Sequence, residues 1–409
     1  MAKTTVLKAD YILEGEGNLL EDHAVLIEDG KIASIAPSGK IKAAEVVDLG
    51  RAVILPGLVN CHTHIELTDL GRAVTRRQDL TLWLDEVREL RDGTNNADLI
   101  KSSQKGIEAA IEYGTTTIVD HANSGNSYIP LKESGMRAFI AFEMVAFPDH
   151  LYEKKAKLLD DRIAMVEEGE FLKWGVAPHS AYGVSERLLK KCREVVEGTD
   201  RVISIHTSEH EGEVELFETG GGPFVEFLTR LGSDLSKWKA PKMTPIAYLA
   251  KLGLITKHTL TIHNNYLRDG DFAIIRDAGA SAVYCPRSHF YFYHRYHPFK
   301  KLLAEGIRVC FGTDSMVSNW SLDMLEEIKF VYQTYDDVTP LQLFRMATIN
   351  GAAALGIQDR VGELRPGMEA DICAIRVPKN YDNPLEGALD QRSRNIMTMI
   401  AGETHFFDD

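Results

Sequence analysis

His62 and His64 stand two residues apart at the end of an apolar run, residues 52–62. On an extended strand, residues i and i+2 project from the same face, so both imidazoles converge on one point. Imidazoles placed in this way are ligands for a divalent metal. Taken alone, the pair is equally well two hydrogen-bonded histidines at a strand end. Later apolar runs supply matching groups at their own ends: His121, His179, His206 with Glu209, His263, and Asp314.

Three imidazoles, His62, His64 and His206, with the carboxylate of Asp314, suit Zn²⁺ or Fe²⁺ and leave a position for water. A metal so held lowers the pKa of that water toward neutrality. Glu209 lies three residues after His206, where a carboxylic acid could protonate a ring nitrogen while the neighbouring carbon is attacked. His263 and Asp314 could take the proton from water. His179 supports the ligands or contacts substrate. His121 is read as a hydrogen-bonded strand-end residue instead of a ligand. The fourth run ends in His179 with no Lys beside it, so the bridging carboxylated lysine of some two-metal barrels is absent and one metal is expected.

Such side chains meet only if the runs share one mouth. The runs at 52–62, 115–121, 137–145, 172–179, 202–209, 260–263, 282–286 and 308–314 are continuous and rich in β-branched residues, as buried parallel strands are. Helical spacing fills intervening segments such as 98–113, 151–167, 186–196, 269–278 and 321–334. Eight β–α units predict an α/β fold, a (β/α)8 TIM-type barrel over 56–360. A doubly wound open sheet is the competing fold, but no G-x-G-x-x-G follows the first run. Both ends of the chain are β-rich, with a hairpin signal at Asp29-Gly30 and a turn at Ala401-Gly402. They predict a small β-sandwich built from 1–55 and 361–409. Two connections are long, 65–96 and 210–258. The first carries Arg72, Arg76, Arg77, Arg88 and Arg91. Long connections on the catalytic face of a barrel shape the substrate pocket.

With 409 residues, 44% hydrophobic and 26% charged, the composition is that of a globular protein with a large core. A net charge of −14 argues against a nucleic-acid binder and against anionic membrane surfaces. The five cysteines are scattered, with no C-x-x-C. The N-terminus has no apolar segment of signal-peptide length, and no stretch is long enough to span a bilayer. A cytoplasmic protein is expected. Oligomeric state is left open, a homo-oligomer included.

The combined motifs resemble the amidohydrolase superfamily, in its adenosine/S-adenosylhomocysteine/methylthioadenosine deaminase and chlorohydrolase branch. The carrying segments are 56–64 with His62-Thr63-His64, 177–180 with His179, 206–209, 312–319 with Asp314, 347–356 and 362–371. The resemblance implies a metal-dependent barrel that releases ammonia from an aminated ring carbon. It implies His62, His64, His206 and Asp314 as metal ligands, with zinc first and iron second. Glu209, His263 and Asp314 are then the proton handlers, and His179 faces substrate. Trp83 and Asp92 fall where adenosine-type deaminases carry loop residues that cover the base and bind ribose hydroxyls. The substrate implied is a small nucleoside or purine-like molecule, such as S-adenosylhomocysteine, methylthioadenosine or aminodeoxyfutalosine. The chain departs from the pattern at His263-Asn264, where relatives have His-Cys, and at Cys285-Pro286-Arg287-Ser288-His289, where they have Ser-Asn. Arg287 and His289 could meet an anionic or aromatic substituent remote from the reacting amine. Competing expectations are a guanine- or triazine-type ring aminohydrolase or chlorohydrolase, and a non-catalytic scaffold of the same fold.

Overall fold

The computed structural model describes residues 4–408 apart from 16, 42–44, 72, 76–78, 237 and 295. Arg72, Arg76 and Arg77 of the first long connection thus lie outside the described residues.

Eight parallel strands follow one another around a barrel in chain order. They are β1 (Leu58–Thr63), β2 (Thr115–Ala122), β3 (Arg137–Met144), β4 (Leu172–Pro178), β5 (Ile203–Thr207), β6 (Thr259–His263), β7 (Ser281–Tyr284) and β8 (Arg308–Phe311). A parallel bridge between Thr63 and Asp314 joins β1 to the residues just past β8, and Asp314 N donates to His62 O at 3.0 Å. The closure therefore passes through the two residues next to the chemistry. Almost every strand position is buried, because helices cover the outer face while side chains fill the inner one. Gly312 sits at this seam. A Cβ there would lie 2.8 Å from His62 Cβ, so only glycine lets the two segments approach.

The single run expected at 52–62 is two strands. Ala52–Pro56 belongs to a terminal sheet, and β1 begins after Gly57. A Cβ on Gly57 would come within 2.2 Å of Thr116 Oγ1. Both strands are buried, so no change of polarity marks the break.

Residues from both chain ends form two facing sheets. One has four strands, ordered Lys31–Pro37, His23–Glu28, Thr4–Lys8 and Glu45–Asp48. The other has six, ordered Glu403–Phe407, Arg394–Ile400, Ile372–Arg376, Ala52–Pro56, Tyr11–Leu13 and Leu19–Glu21. Leu7, Ile27, Ile54, Ile372 and Met397 pack between them in one apolar cluster. The turns Asp29-Gly30 and Ala401-Gly402 both have positive φ at both positions, as a tight hairpin between twisted strands requires. Under the barrel, Arg137 at the foot of β3 donates to Glu369 at 2.5 Å and to Asp371 at 3.1 Å, all three buried.

The two long connections fold over the mouth. The first holds the helix Leu80–Asp92, whose Asp79 cap accepts from Thr81 N and Leu82 N. The second holds Glu211–Thr219, Pro223–Arg230 and Pro245–Lys251. Arg230 pairs with Asp85 at 2.9 Å and ties the two connections together. No helix of the described residues is long and apolar enough to cross a membrane.

Candidate active site

The strand ends converge as the barrel demands. One ligand atom from each of His62, His64, His121 and His206 lies within 4.8 Å of the others, and the same holds for His62, His263 and Asp314. His62 Nε2 is 3.4 Å from Asp314 Oδ1, and His64 Nε2 is 3.7 Å from the same oxygen. Asp314, itself at a positive φ of 58°, is fixed by three donors. Ser288 Oγ and Ser318 Oγ donate to Oδ2 at 2.6 and 2.7 Å, and Ser315 N donates to Oδ1 at 2.8 Å. His206 Nδ1 donates to His179 O at 2.7 Å, which leaves its Nε2 with a free lone pair.

The electrostatics favour neutral imidazoles. Burial first, and the neighbouring His121 next, push His62 down to about 3. Burial also carries His263 down to about 3 and His206 well below its usual value. Burial would raise the Asp314 carboxyl, but facing His62, His263 and His64 outweigh it and hold it well below the carboxylate range. Neither ring nitrogen of buried His62 has a hydrogen-bond partner among the described residues. A neutral, orphaned imidazole beside an ionised carboxylate is the state in which a divalent cation binds, and the donor set fits one.

Glu209 behaves differently. Burial, followed by Asp314 and Glu213, raises its carboxyl well above the usual value, which favours the acid form. Its Oε1 stands 3.6 Å from His263 Nε2. Glu209 N donates to Glu213 Oε2 at 2.9 Å, and Asn265 Nδ2 donates to Glu209 O at 3.0 Å, so the backbone that aims the acid is held on both sides. The departure at Asn264 has a local cause. His263 and Asn264 have φ of 71° and 57°, and Asn tolerates that region. Its side chain donates to Thr261 O at 2.6 Å and accepts from Thr207 Oγ1 at 3.0 Å, which locks β5 to β6.

A cavity of about 320 Å³ opens above this cluster. Trp83, Leu84 and Val87 form one wall, with Phe227, Leu228 and Leu231 from the second connection. His64, His179, His206, Glu209, His263 and Asp314 form the floor. Two floor residues carry no role in the sequence-based expectations. His121 stands within the histidine cluster, its ring centre 4.4 Å from that of His62. Glu143, at the end of β3, is 6% exposed and also lines the cavity. Its only cue in the sequence is a lone acid near the end of the third apolar run. Arg88, Arg91 and Lys155 give the cavity wall a basic stretch.

A family model described as the amidohydrolase family matches residues 53–404. The chain belongs to the amidohydrolase family. It is 28% identical over 389 residues to the "5-methylthioadenosine/S-adenosylhomocysteine deaminase" of Syntrophobacter fumaroxidans, covering 91% of this chain and 84% of that one. The fold matches a zinc-bound adenosine deaminase from Xanthomonas campestris with a TM-score of 0.83, at 24% identity, over 98% of this chain and 93% of that one. It also matches the aminofutalosine deaminase of Helicobacter pylori with a TM-score of 0.85, at 20% identity, over 98% and 100% of the two chains. This amidohydrolase is a hydrolase acting on C–N bonds.

Three residues expected at the substrate stand elsewhere in this amidohydrolase. Asp92 closes its helix with a side chain 62% exposed, paired to Arg91 at 2.8 Å and outside the cavity lining. Arg287 and His289 lie buried on the short helix Pro286–Tyr291 and are not among the residues that line the cavity. Arg287 Nη1 donates to Ser321 Oγ at 2.9 Å, and its guanidinium lies 5.3 Å from the Trp320 ring centre. His289 Nδ1 is 3.0 Å from Asn265 Oδ1. Ser288, between them, is the residue that reaches Asp314. Arg295, in the aromatic and basic segment beyond this helix, lies outside the described residues.

Glu327 anchors this helix, accepting from Arg287 N at 2.9 Å and from Asn319 Nδ2 at 2.7 Å. Burial pushes its carboxyl up from 4.5 to about 8. Between those values the folded chain holds a proton that the unfolded chain has released, so this site loses stability as pH rises. Denaturant unfolding from pH 5 to 8 is expected to show wild type falling relative to Glu327→Gln, by at most about 1.4 kcal/mol per pH unit. Parallel curves would refute the raised value.

Proposed function

We propose that the protein is a metal-dependent deaminase that hydrolyses the 6-amino group of an adenosine-type nucleoside modified at its 5′ position. The observation that carries this is a buried acid, Glu209, set 3.6 Å from His263 on the floor of a cavity that also presents the histidine cluster and Asp314. His62, His64, His206 and Asp314 would hold the metal, zinc first and iron second. When bound, a divalent ion supplies acidified water as a nucleophile near neutral pH. Glu209 donates its proton to the ring nitrogen beside the reacting carbon, so charge does not build up on the ring. His263 and Asp314 take the proton released by the attacking water. Trp83 covers the base, and His179 meets the nucleoside. The reaction adds water and releases ammonia. Five buried, unpaired cysteines are compatible with the reducing cytoplasm.

The 5′ substituent is read from the cavity wall. Lys155 is half-buried there and makes no hydrogen bond or ion pair among the described residues. Burial first, then Arg162 and Arg91, lower its pKa, and Glu143 offsets them only in part. A carboxylate on the substrate would add to that offset. Lys155→Met is therefore expected to raise KM about ten- to hundred-fold for S-adenosylhomocysteine or aminodeoxyfutalosine, and to leave methylthioadenosine unchanged. Equal effects on charged and neutral substrates would remove the anionic subsite. The parent proposal is tested by ammonia release from adenosine, methylthioadenosine, S-adenosylhomocysteine and aminodeoxyfutalosine with metal-loaded protein. Turnover of none of them would sink it.

A further inference from the structure

Glu143 and His121 face each other at the cavity floor with a gap that neither closes. Glu143 Oε2 accepts from Asn123 Nδ2 at 2.7 Å, but its buried Oε1 has no hydrogen-bond partner among the described residues. His121 Nδ1 stands 3.9 Å from it, also buried and without a partner among them, and a Glu143 oxygen lies within 4.8 Å of ligand atoms of His179 and His206. The 3.9 Å gap is too long for a hydrogen bond. His121 Nε2 is 2.6 Å from Ser204 Oγ. With Ser204 donating to Nε2, the imidazole proton sits on Nδ1, the tautomer that places N–H instead of a lone pair toward the carboxylate. The two orphans are then one acceptor and one donor, on two residues that line the cavity.

A buried carboxylate oxygen left unpaired is costly, so the fold has kept these two atoms for something that enters. A hydroxyl satisfies both at once, because it donates one hydrogen bond and accepts another. We propose that Glu143 and His121 form the subsite for a 2′- or 3′-hydroxyl of the nucleoside sugar. This rests on the deaminase reading above, in which the 5′ position is turned toward Lys155 and leaves these hydroxyls as the sugar's donors. It takes the place expected for Asp92, whose exposed side chain is outside the cavity lining.

The test compares adenosine with 2′,3′-dideoxyadenosine on wild type and Glu143→Gln, both loaded with zinc. Wild type is expected to favour adenosine in kcat/KM, and Glu143→Gln to cut that preference about ten- to hundred-fold through KM. Both substrates meet the same preparation, so any loss of folded protein cancels in the ratio. Zinc content is expected to stay at the wild-type level. An unchanged ratio overturns the subsite, and loss of zinc overturns it by making Glu143 a metal ligand. Calorimetric binding of inosine and 2′,3′-dideoxyinosine repeats the comparison without turnover. Ribose discrimination that Glu143→Gln removes, with no ammonia from wild type, counts against the deaminase reading alone. Turnover with equal losses for both sugars counts against the subsite alone.

Discussion

Glu209→Gln is expected to lower kcat for deamination by about 10²- to 10⁴-fold while the bound metal is retained. The amide keeps the shape of the acid but has no proton to give. Glu209 is raised well above its usual value by burial, then by Asp314 and Glu213, which favours the acid form that can donate. Its backbone is held by Glu213 and Asn265, neither of which the substitution touches. Ammonia release measured beside zinc content separates the proton donor from the metal site. A variant within about ten-fold of wild type would remove Glu209 from the chemistry. His206→Ala offers the opposite signature, since it deletes a ligand atom and should lose metal and activity together.

Arg137→Ala is expected to cost about 3–5 kcal/mol in denaturant unfolding, the largest stability effect anticipated for a residue far from the cavity. Arg137 is buried at the foot of β3 and faces Glu369 and Asp371, both also buried. Glu369 keeps a second partner in Arg360, whereas among the described residues Asp371 keeps only the backbone N–H of Ala401 at 2.9 Å. Burial already raises the Asp371 carboxyl, and without the guanidinium its charge is left in an apolar seam. A loss under about 1 kcal/mol would show the seam to be wetter than its packing implies.

The barrel and the converging strand ends were legible because they rest on strong periodic signals. Continuous apolar runs rich in β-branched residues read as buried strands, and polar residues that end them fall at the barrel mouth. Legibility stopped where side-chain direction is set by the backbone just past the strand. Arg287 and His289 end an apolar run as His206 does, yet on the turn of helix at Pro286–Tyr291 it is Ser288 that reaches Asp314. Asp92 is withheld from the cavity by its neighbour Arg91, a contact that spacing does not reveal. Gly57 divides two buried strands with no change of texture, so the break shows only in the 2.2 Å that separates its absent Cβ from Thr116. His121 and Glu143 are single polar residues near strand ends. Only the 3.9 Å gap between two orphaned atoms distinguishes them from ordinary hydrogen-bonded ones.

The division at Gly57 also bears on how the chain is made. Ala52–Pro56 runs directly into the strand that carries His62 and His64, and it is paired on one side by Tyr11–Leu13. Its other edge is filled by Ile372–Arg376, more than 300 residues later. During synthesis that edge stays bare until nearly the whole barrel has left the ribosome. The first pair of histidines is therefore translated early but anchored late, and for that interval the chain carries an open apolar strand edge of the kind that invites chaperones.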